Sequence, residues 1–299
     1  MKKSVLVTGA TGFIGRHVIL PLLQKEFTLH ATFSQNKPIT EYDVTWHAVN
    51  LHDKTAVENV LSEINPSHLL HFAWFAKPKE YWTSPKNLVW LESSLHLLKA
   101  FIKVKGERAV FIGSCAEYNW EDGLCSEYST SCVPDTLYGK TKHDLYNLSN
   151  RISKNHDLSF AWARLFFLFG AHEHPERLIP AAIKNFLKQK KFNILNGNQI
   201  RDFMCVAEAA AAIAALLDSN VTGPVNIASG RSITIYDLIM TIANQLQCID
   251  LIDCEFPEKI QYPVVTADVT RLRDEVKWQP KYSLESALGE TIAWWQGQQ

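Results

Sequence analysis

Val5-Leu6-Val7-Thr8-Gly9-Ala10-Thr11-Gly12-Phe13-Ile14-Gly15 joins an apolar run to a glycine-spaced turn, and Ile14, Val18 and Leu22 then repeat at four. That order predicts a strand, a tight turn and the start of a helix. Gly9 permits the turn. Gly12 lets a pyrophosphate approach the amides at the helix N-terminus, and Gly15 lets the helix pack on the strand. The segment reads as a dinucleotide cradle in which Thr11, Phe13 and Ile14 join the three glycines as cofactor contacts. Pro21 falls inside the following helix, 12–25, where its missing N–H predicts a kink.

Outward from this start, short apolar runs alternate with amphipathic ones through the first 170 residues, which predicts strand-helix units around a parallel sheet. Strands are expected at 4–8, 28–33, 45–50, 68–73, 109–113 and 160–167. A helix is expected at 137–152, where Leu137, Thr141, Leu145, Leu148 and Ile152 share one face. Beyond Gly170, the sequence predicts a Pro- and His-punctuated loop and helices near 180–190, 206–217 and 234–245. A strand ending in a turn is expected at 223–230. The fold class is α/β: a Rossmann doubly wound parallel sheet with a smaller C-terminal α/β substrate domain. Residues 1–170 are assigned to the NAD(P)-binding domain, to which 201–228 would return; 171–200 and 229–299 form the substrate domain.

Composition narrows the partners. The chain has 299 residues, with 30 Lys+Arg against 31 Asp+Glu and a net charge of −1. No global field exists to recruit nucleic acid or an anionic membrane. The six cysteines show no CxxC, and the chain leads from Met1-Lys2-Lys3 straight into a strand rather than a signal peptide. A reduced, cytoplasmic protein is expected. The most apolar window, 160–170, is too short for a membrane helix and carries Arg164.

The end of the second strand distinguishes the nicotinamide cofactors, because an acid there binds the ribose 2′-hydroxyl whereas a 2′-phosphate needs donors and positive charge. Thr32-Phe33-Ser34-Gln35-Asn36-Lys37 has no acid. Ser34 and Lys37 favour NADP, with NAD the alternative. Asn50 and Leu51 after the third strand, Ala73 and Trp74 after the fourth, and Leu165 in the sixth complete the expected cofactor contacts.

Tyr138-Gly139-Lys140-Thr141-Lys142 is a YxxxK at a helix start, which puts the phenol and the ammonium one turn apart. The lysine is expected to lower the tyrosine pKa for acid-base work and to hold the nicotinamide ribose. Ser114, ending Val110-Phe111-Ile112-Gly113-Ser114, would hydrogen-bond a substrate oxygen. Arg201 suits bidentate phosphate recognition, and Arg177 is a second, weaker candidate.

These motifs resemble an extended short-chain dehydrogenase/reductase of the NAD(P)-dependent sugar-nucleotide epimerase/dehydratase family, over nearly the whole chain. Arg177-Leu178-Ile179-Pro180, Arg201-Asp202-Phe203, Gly223-Pro224-Val225-Asn226-Ile227 and Lys277-Trp278-Gln279-Pro280 recur where that family has them. The resemblance implies that Ser114, Tyr138 and Lys142 are catalytic and that Arg201 binds a nucleotide diphosphate. It also implies a nucleotide-sugar substrate bordered by Cys115, Ala116 and Phe167, and it allows a homodimer through a helix pair of the first domain.

Cys115 and Ala116 stand where a 4,6-dehydratase has its Asp-Glu pair. Ala116 and Arg177 stand where a 3,5-epimerase-reductase has its cysteine and histidine. What remains is chemistry needing Ser, Tyr, Lys and a hydride. NADPH reduction of a 4-keto(-6-deoxy) sugar nucleotide is the leading expectation, with NAD-dependent 4-epimerisation as the alternative. A non-catalytic dinucleotide-binding redox sensor is the reading of another class, opposed by the intact Ser114, Tyr138 and Lys142. His172-Glu173-His174 is expected to be a solvated loop, no metal site is expected, and Cys115 reads as a buried thiol.

Overall fold

The computed structural model describes residues 3–298; Met1, Lys2 and Gln299 lie outside the described residues. In the first half, β1 (Ser4–Thr8), α1 (Gly15–Gln24), β2 (Thr28–Phe33), β3 (Thr45–Ala48), α2 (Lys54–Ile64), β4 (His68–His71) and α3 (Lys86–Lys103) follow in turn. Next come β5 (Arg108–Ser114), β6 (Leu124–Cys125), α4 (Leu137–Asn155), β7 (Ser159–Leu165) and β8 (Phe167–Phe169). The second half runs α5 (Leu178–Leu187), β9 (Phe192–Ile194), β10 (Ile200–Cys205), α6 (Val206–Asp218), β11 (Gly223–Ile227) and β12 (Ser232–Thr234). It ends with α7 (Ile235–Leu246), β13 (Ile252–Cys254), β14 (Val264–Ala267), α8 (Thr270–Asp274) and α9 (Leu284–Gln296).

Seven parallel strands form the main sheet in the order β11-β7-β5-β4-β1-β2-β3. The chain order reverses between β1 and β4, so the carboxyl ends of these strands open a crevice where a ligand sits in such sheets. The strands are buried on both faces. Val18, Ile19 and Leu22 of α1 and the alanine face of α6 cover one side, and apolar residues of α2, α3 and α4 cover the other. Helix α1 runs through Pro21 and ends at Gln24.

Two departures from the sequence expectation matter for the site. The run expected as one strand over 160–167 divides: β7 pairs with β5 and β11 in the main sheet, and β8 pairs with β10 in a second one. The chain changes sheets at Phe166 and so sets Phe167 near Arg201. The return to the main sheet, expected from 201, is made by α6 and β11, whereas β10 lies in the second sheet, ordered β12-β10-β14-β6. Periodicity could not reveal β10, because Arg201 and Asp202 are polar yet both buried. Asp202 accepts hydrogen bonds from the backbone and hydroxyl of Ser229 (2.8 and 2.6 Å) and from the Gly230 amide (2.9 Å). These bonds satisfy the buried carboxylate. A two-stranded β13-β9 ribbon and the packed α5, α7 and α9 complete this unit. Among the described residues no helix is long and apolar enough to cross a membrane.

One core group ties stability to pH. His71 on β4 lies between Thr8 Oγ1 (2.6 Å) and Ser94 Oγ (2.8 Å), and burial pushes its pKa down to about 3, with Lys142 adding to the effect. The unfolded chain then binds a proton that the folded chain refuses between about pH 6.5 and 3. This contribution is complete above pH 6.5 and is lost as the pH falls towards 3. Urea unfolding of the wild type and His71→Asn is therefore expected to give a stability difference that is constant above pH 7 and shrinks steadily between pH 6.5 and 4.

Candidate active site

The glycine turn is shaped by close approach. Gly9 has φ +71° and lies where a Cβ would sit 2.6 Å from the Ala73 nitrogen, so the turn presses on the end of β4. A Cβ on Gly15 would overlap the Gly9 carbonyl and come within 2.9 Å of Ala10. Gly12 differs: the nearest atom to its added Cβ is Gly9 O at 3.2 Å, and its outer side is exposed. Helix α1 starts without a side-chain cap or an acid in its first turn; the Arg16 and His17 amides bond to Gly12 O and Ile14 O, and those of Phe13, Ile14 and Gly15 are left for an anion. Arg16 folds back onto the carbonyls of Thr11 (2.8 Å) and Gly12 (3.2 Å) and so holds the turn from behind. These features fit a dinucleotide pyrophosphate.

Around this cradle, Phe13 packs edge-on to His17, and Ile14 is half-buried against the core. Ser34 and Lys37 lie on an exposed stretch after β2, and Lys37 has no carboxylate partner among the described residues. Asn50 Oδ1 accepts the His52 amide (3.1 Å), Leu51 packs on the core, and Leu165 ends β7 buried.

The candidate catalytic side chains converge from two elements, β5 and α4. Ser114 ends β5, and its hydroxyl accepts the Ala116 amide (3.2 Å) while its own amide donates to Glu117 Oε1 (2.8 Å). Helix α4 is capped by Thr136, whose hydroxyl accepts the Gly139 amide (3.1 Å). Gly139 lets this first turn pack on the 115–117 turn, since a Cβ there would overlap Ala116 O. Tyr138 follows the cap, its amide donating to Trp82 O (3.0 Å) and its ring meeting Tyr81 edge-on at 4.9 Å. Burial pushes the Tyr138 phenol above its ordinary range, Tyr81 adds to this, and a hydrogen bond with Ser114 opposes it.

This corrects the electrostatics expected from the YxxxK spacing. Lys142 stands one turn from Tyr138, but its ammonium donates to Ile112 O (2.8 Å) and lies 3.7 Å from the centroid of the Trp74 ring. In this structure burial, not the lysine, sets the direction of the phenol pKa. The lysine's own pKa is lowered to about 7 by burial, against the attraction of Glu117.

Beneath Ser114 lies a buried ion pair that the sequence reading missed. Glu117, fully buried, accepts Arg164 Nε (3.0 Å), Trp162 Nε1 (2.9 Å) and the Ser114 amide. Arg164 also stacks on Tyr118 (4.5 Å). Burial works against its charge, but Glu117 and then Tyr118 hold its pKa above the ordinary value. The only signal was the position of each residue: a polar side chain inside an apolar strand, and one three residues after the serine.

An open cleft of about 510 Å³ has Trp82, Ala116, Trp120, Thr136, Arg201 and Tyr262 among its walls, so it reaches the chain two residues from Ser114 and from Tyr138 without being lined by either. Arg201 donates through Nη1 to the carbonyls of Ile200 (2.8 Å) and Pro263 (3.3 Å) and packs 5.6 Å from the Phe167 ring. It has no carboxylate partner among the described residues, so charge remains for an anion. Arg177 lies elsewhere: exposed at the start of α5, it sits 5.6 Å from the Tyr81 ring, near Glu173. Cys115 is buried and its thiol pushed well up by burial. The loop expected to be solvated is not uniformly so. Glu173 is 8% exposed with Oε2 unpartnered, and burial raises its pKa to about 8 against the pull of Arg177. His172 stacks on Trp294 at 4.7 Å.

Comparison with known proteins agrees with this architecture. A UDP-glucose 4-epimerase of Schizosaccharomyces pombe is 26% identical over 98% of this chain and 94% of its own length. The solved UDP-N-acetylglucosamine 4-epimerase of Methanobrevibacter ruminantium, in complex with UDP-N-acetylmuramic acid, superposes with a TM-score of 0.88 at 25% identity and full coverage of both chains. The UDP-glucose 4-epimerase of Thermus thermophilus in complex with NAD gives 0.85 at 22% identity, covering 98% of this chain and 99% of that one. Residues 5–228 match the NAD dependent epimerase/dehydratase family. With this match over most of its length, and with a glycine cradle and a Ser-Tyr-Lys set at the carboxyl edge of a doubly wound sheet, the chain belongs to the NAD dependent epimerase/dehydratase family.

Proposed function

We propose that this chain is a sugar-nucleotide 4-epimerase using NAD, with Ser114, Tyr138 and Lys142 as its catalytic residues. The observation that carries this reading is the acid-base inventory beside the cleft. The phenol of Tyr138 lies near enough to Ser114 for that hydroxyl to pull its pKa down against burial, while Cys115 and Ala116 occupy the places where a dehydratase needs a further acid and base. Similarity to 4-epimerases over nearly the whole chain supports it.

When bound, the dinucleotide supplies a hydride acceptor and donor. The glycine turn and the first amides of α1 hold its pyrophosphate, and Lys142 has a donor free for its ribose. Ser114 donates to the sugar C4 oxygen and orients it, and Tyr138 takes the proton from that oxygen and later returns it. Burial keeps this phenol protonated in the cofactor-free chain, so it must first release that proton to solvent before it accepts the one from the C4 hydroxyl, and its high proton affinity then favours that acceptance. Arg201 offers its unused N–H groups to the diphosphate. The open cleft gives the sugar room to present either face at C4. A cytoplasmic location and a homodimer belong to the same reading.

Reduction of a 4-keto sugar nucleotide by NADPH is the second reading, favoured by the absence of an acid after β2 and by exposed Ser34 and Lys37. Extraction of the nucleotide retained on purification, followed by assay with UDP-hexoses, separates the two. Bound NAD and interconversion of C4 epimers without net cofactor consumption are expected. Retained NADP with stoichiometric oxidation of NADPH by a 4-keto-6-deoxy sugar nucleotide would replace the epimerase by the reductase.

A further inference from the structure

The segment between β4 and α3 touches both presumed catalytic side chains. At one end the Trp74 ring covers the Lys142 ammonium at 3.7 Å. At the other, Tyr81 and Trp82 pack edge-on to Tyr138 at 4.9 and 5.8 Å. Asn87, fully buried at the start of α3, joins these ends: its Oδ1 accepts Trp74 Nε1 (2.8 Å), and its Nδ2 donates to Tyr81 O (2.7 Å) and Ser84 O (2.9 Å). The indole is thus fixed at its edge, and its face is turned to the ammonium.

The ammonium needs such a partner. It is buried, it has three donors, and the Ile112 carbonyl takes one of them. Glu117, the carboxylate that attracts it, is already committed to Arg164, Trp162 and the Ser114 amide. An aromatic face attracts a desolvated cation and leaves its remaining donor free.

We propose that Trp74, locked by Asn87, is a positioning residue that holds Lys142 in its charged form and fixes the direction of its free donor. The inference rests on Lys142 being catalytic, but the contact can be tested without turnover. Around the ammonium, His71 and the Tyr138 phenol keep one charge state between pH 6 and 9. Glu117 is paired with Arg164, His71 on β4 is pushed down to about 3, and the Tyr138 phenol is raised above its ordinary range. Lys142, with its pKa lowered to about 7, changes charge within that interval.

The experiment is a double-mutant cycle of Trp74→Leu and Lys142→Met in the full cofactor-free chain, unfolded in urea at pH 6 and pH 9. A coupling of about fivefold in the folding equilibrium constant is expected at pH 6, falling to near unity at pH 9. Equal coupling at both pH values, the signature of packing alone, or none at pH 6 would overturn the proposal. If Trp74→Leu does not fold, Trp74→Phe carries the cycle with a smaller coupling that must still vanish at pH 9. The turnover profile supplies a second readout: Trp74→Leu is expected to move the alkaline limb down by about one pH unit, whereas Trp294→Leu, altering a ring that packs on His172 and Trp295, leaves it in place. A wild type that turns over no sugar nucleotide counts against the proposed function alone. A null cycle in an active enzyme counts against Trp74 alone.

Discussion

Tyr138→Phe is expected to lower turnover at least ~100-fold while nicotinamide dinucleotide still binds, because general acid-base catalysis by a positioned group contributes on that scale. The ring itself remains: its edge-on packing against Tyr81 and Trp82 is made by carbon atoms, and its backbone bond to Trp82 O is untouched. Only the hydroxyl goes, so loss of stability should stay near ~1 kcal/mol. Initial rates with a C4-epimeric pair of sugar nucleotides, beside a titration of dinucleotide binding, check the prediction. Full retained turnover would remove Tyr138 from the mechanism, and loss of dinucleotide binding would mean that the hydroxyl helps to hold the cofactor.

The largest loss of stability is expected at the ion pair under Ser114. Glu117→Ala leaves the Arg164 guanidinium, 2% exposed, without its carboxylate and strips the acceptor from Trp162 Nε1 and the Ser114 amide. Breaking a buried pair by removing one partner costs about 3–5 kcal/mol, because an uncompensated charge stays buried. Replacing both members by apolar residues, Glu117→Leu with Arg164→Met, removes that charge and should recover a large part of the stability in urea unfolding. Turnover should not recover with it, since Ser114 would still lack the carboxylate that fixes its amide. Recovery of both would make the pair a matter of stability alone.

The contrast between these two sites shows what could be read early. Ser114 and Tyr138 were legible because strand-end serine and helix-start YxxxK are local patterns, and the glycine turn was legible because its spacing is set by the backbone clashes at Gly9 and Gly15. Glu117 and Arg164 are 47 residues apart, and their pairing depends on β5 and β7 lying side by side. No window of sequence contains that fact. The same holds for Trp74 over Lys142, for Tyr262 beside Trp120 at the cleft, and for Glu173, which reads as loop until burial around it is seen. The strand β10 was hidden for another reason: its buried Asp202 is satisfied by Ser229 and Gly230 on another segment, so its polarity misleads.

The sequence by itself determined the parallel α/β framework, the tight glycine turn and the strand-end and helix-start positions of Ser114, Tyr138 and Lys142, because each follows from periodicity or spacing within about thirty residues. It also set the expectation that Lys142 lowers the pKa of Tyr138, from their one-turn separation. Only the tertiary structure decided where that ammonium points and how the phenol titrates. Burial and neighbours from β4, β5 and the 74–87 segment outweigh the helical spacing, because the cost of enclosing a charge and the direction of its few hydrogen bonds are properties of packing.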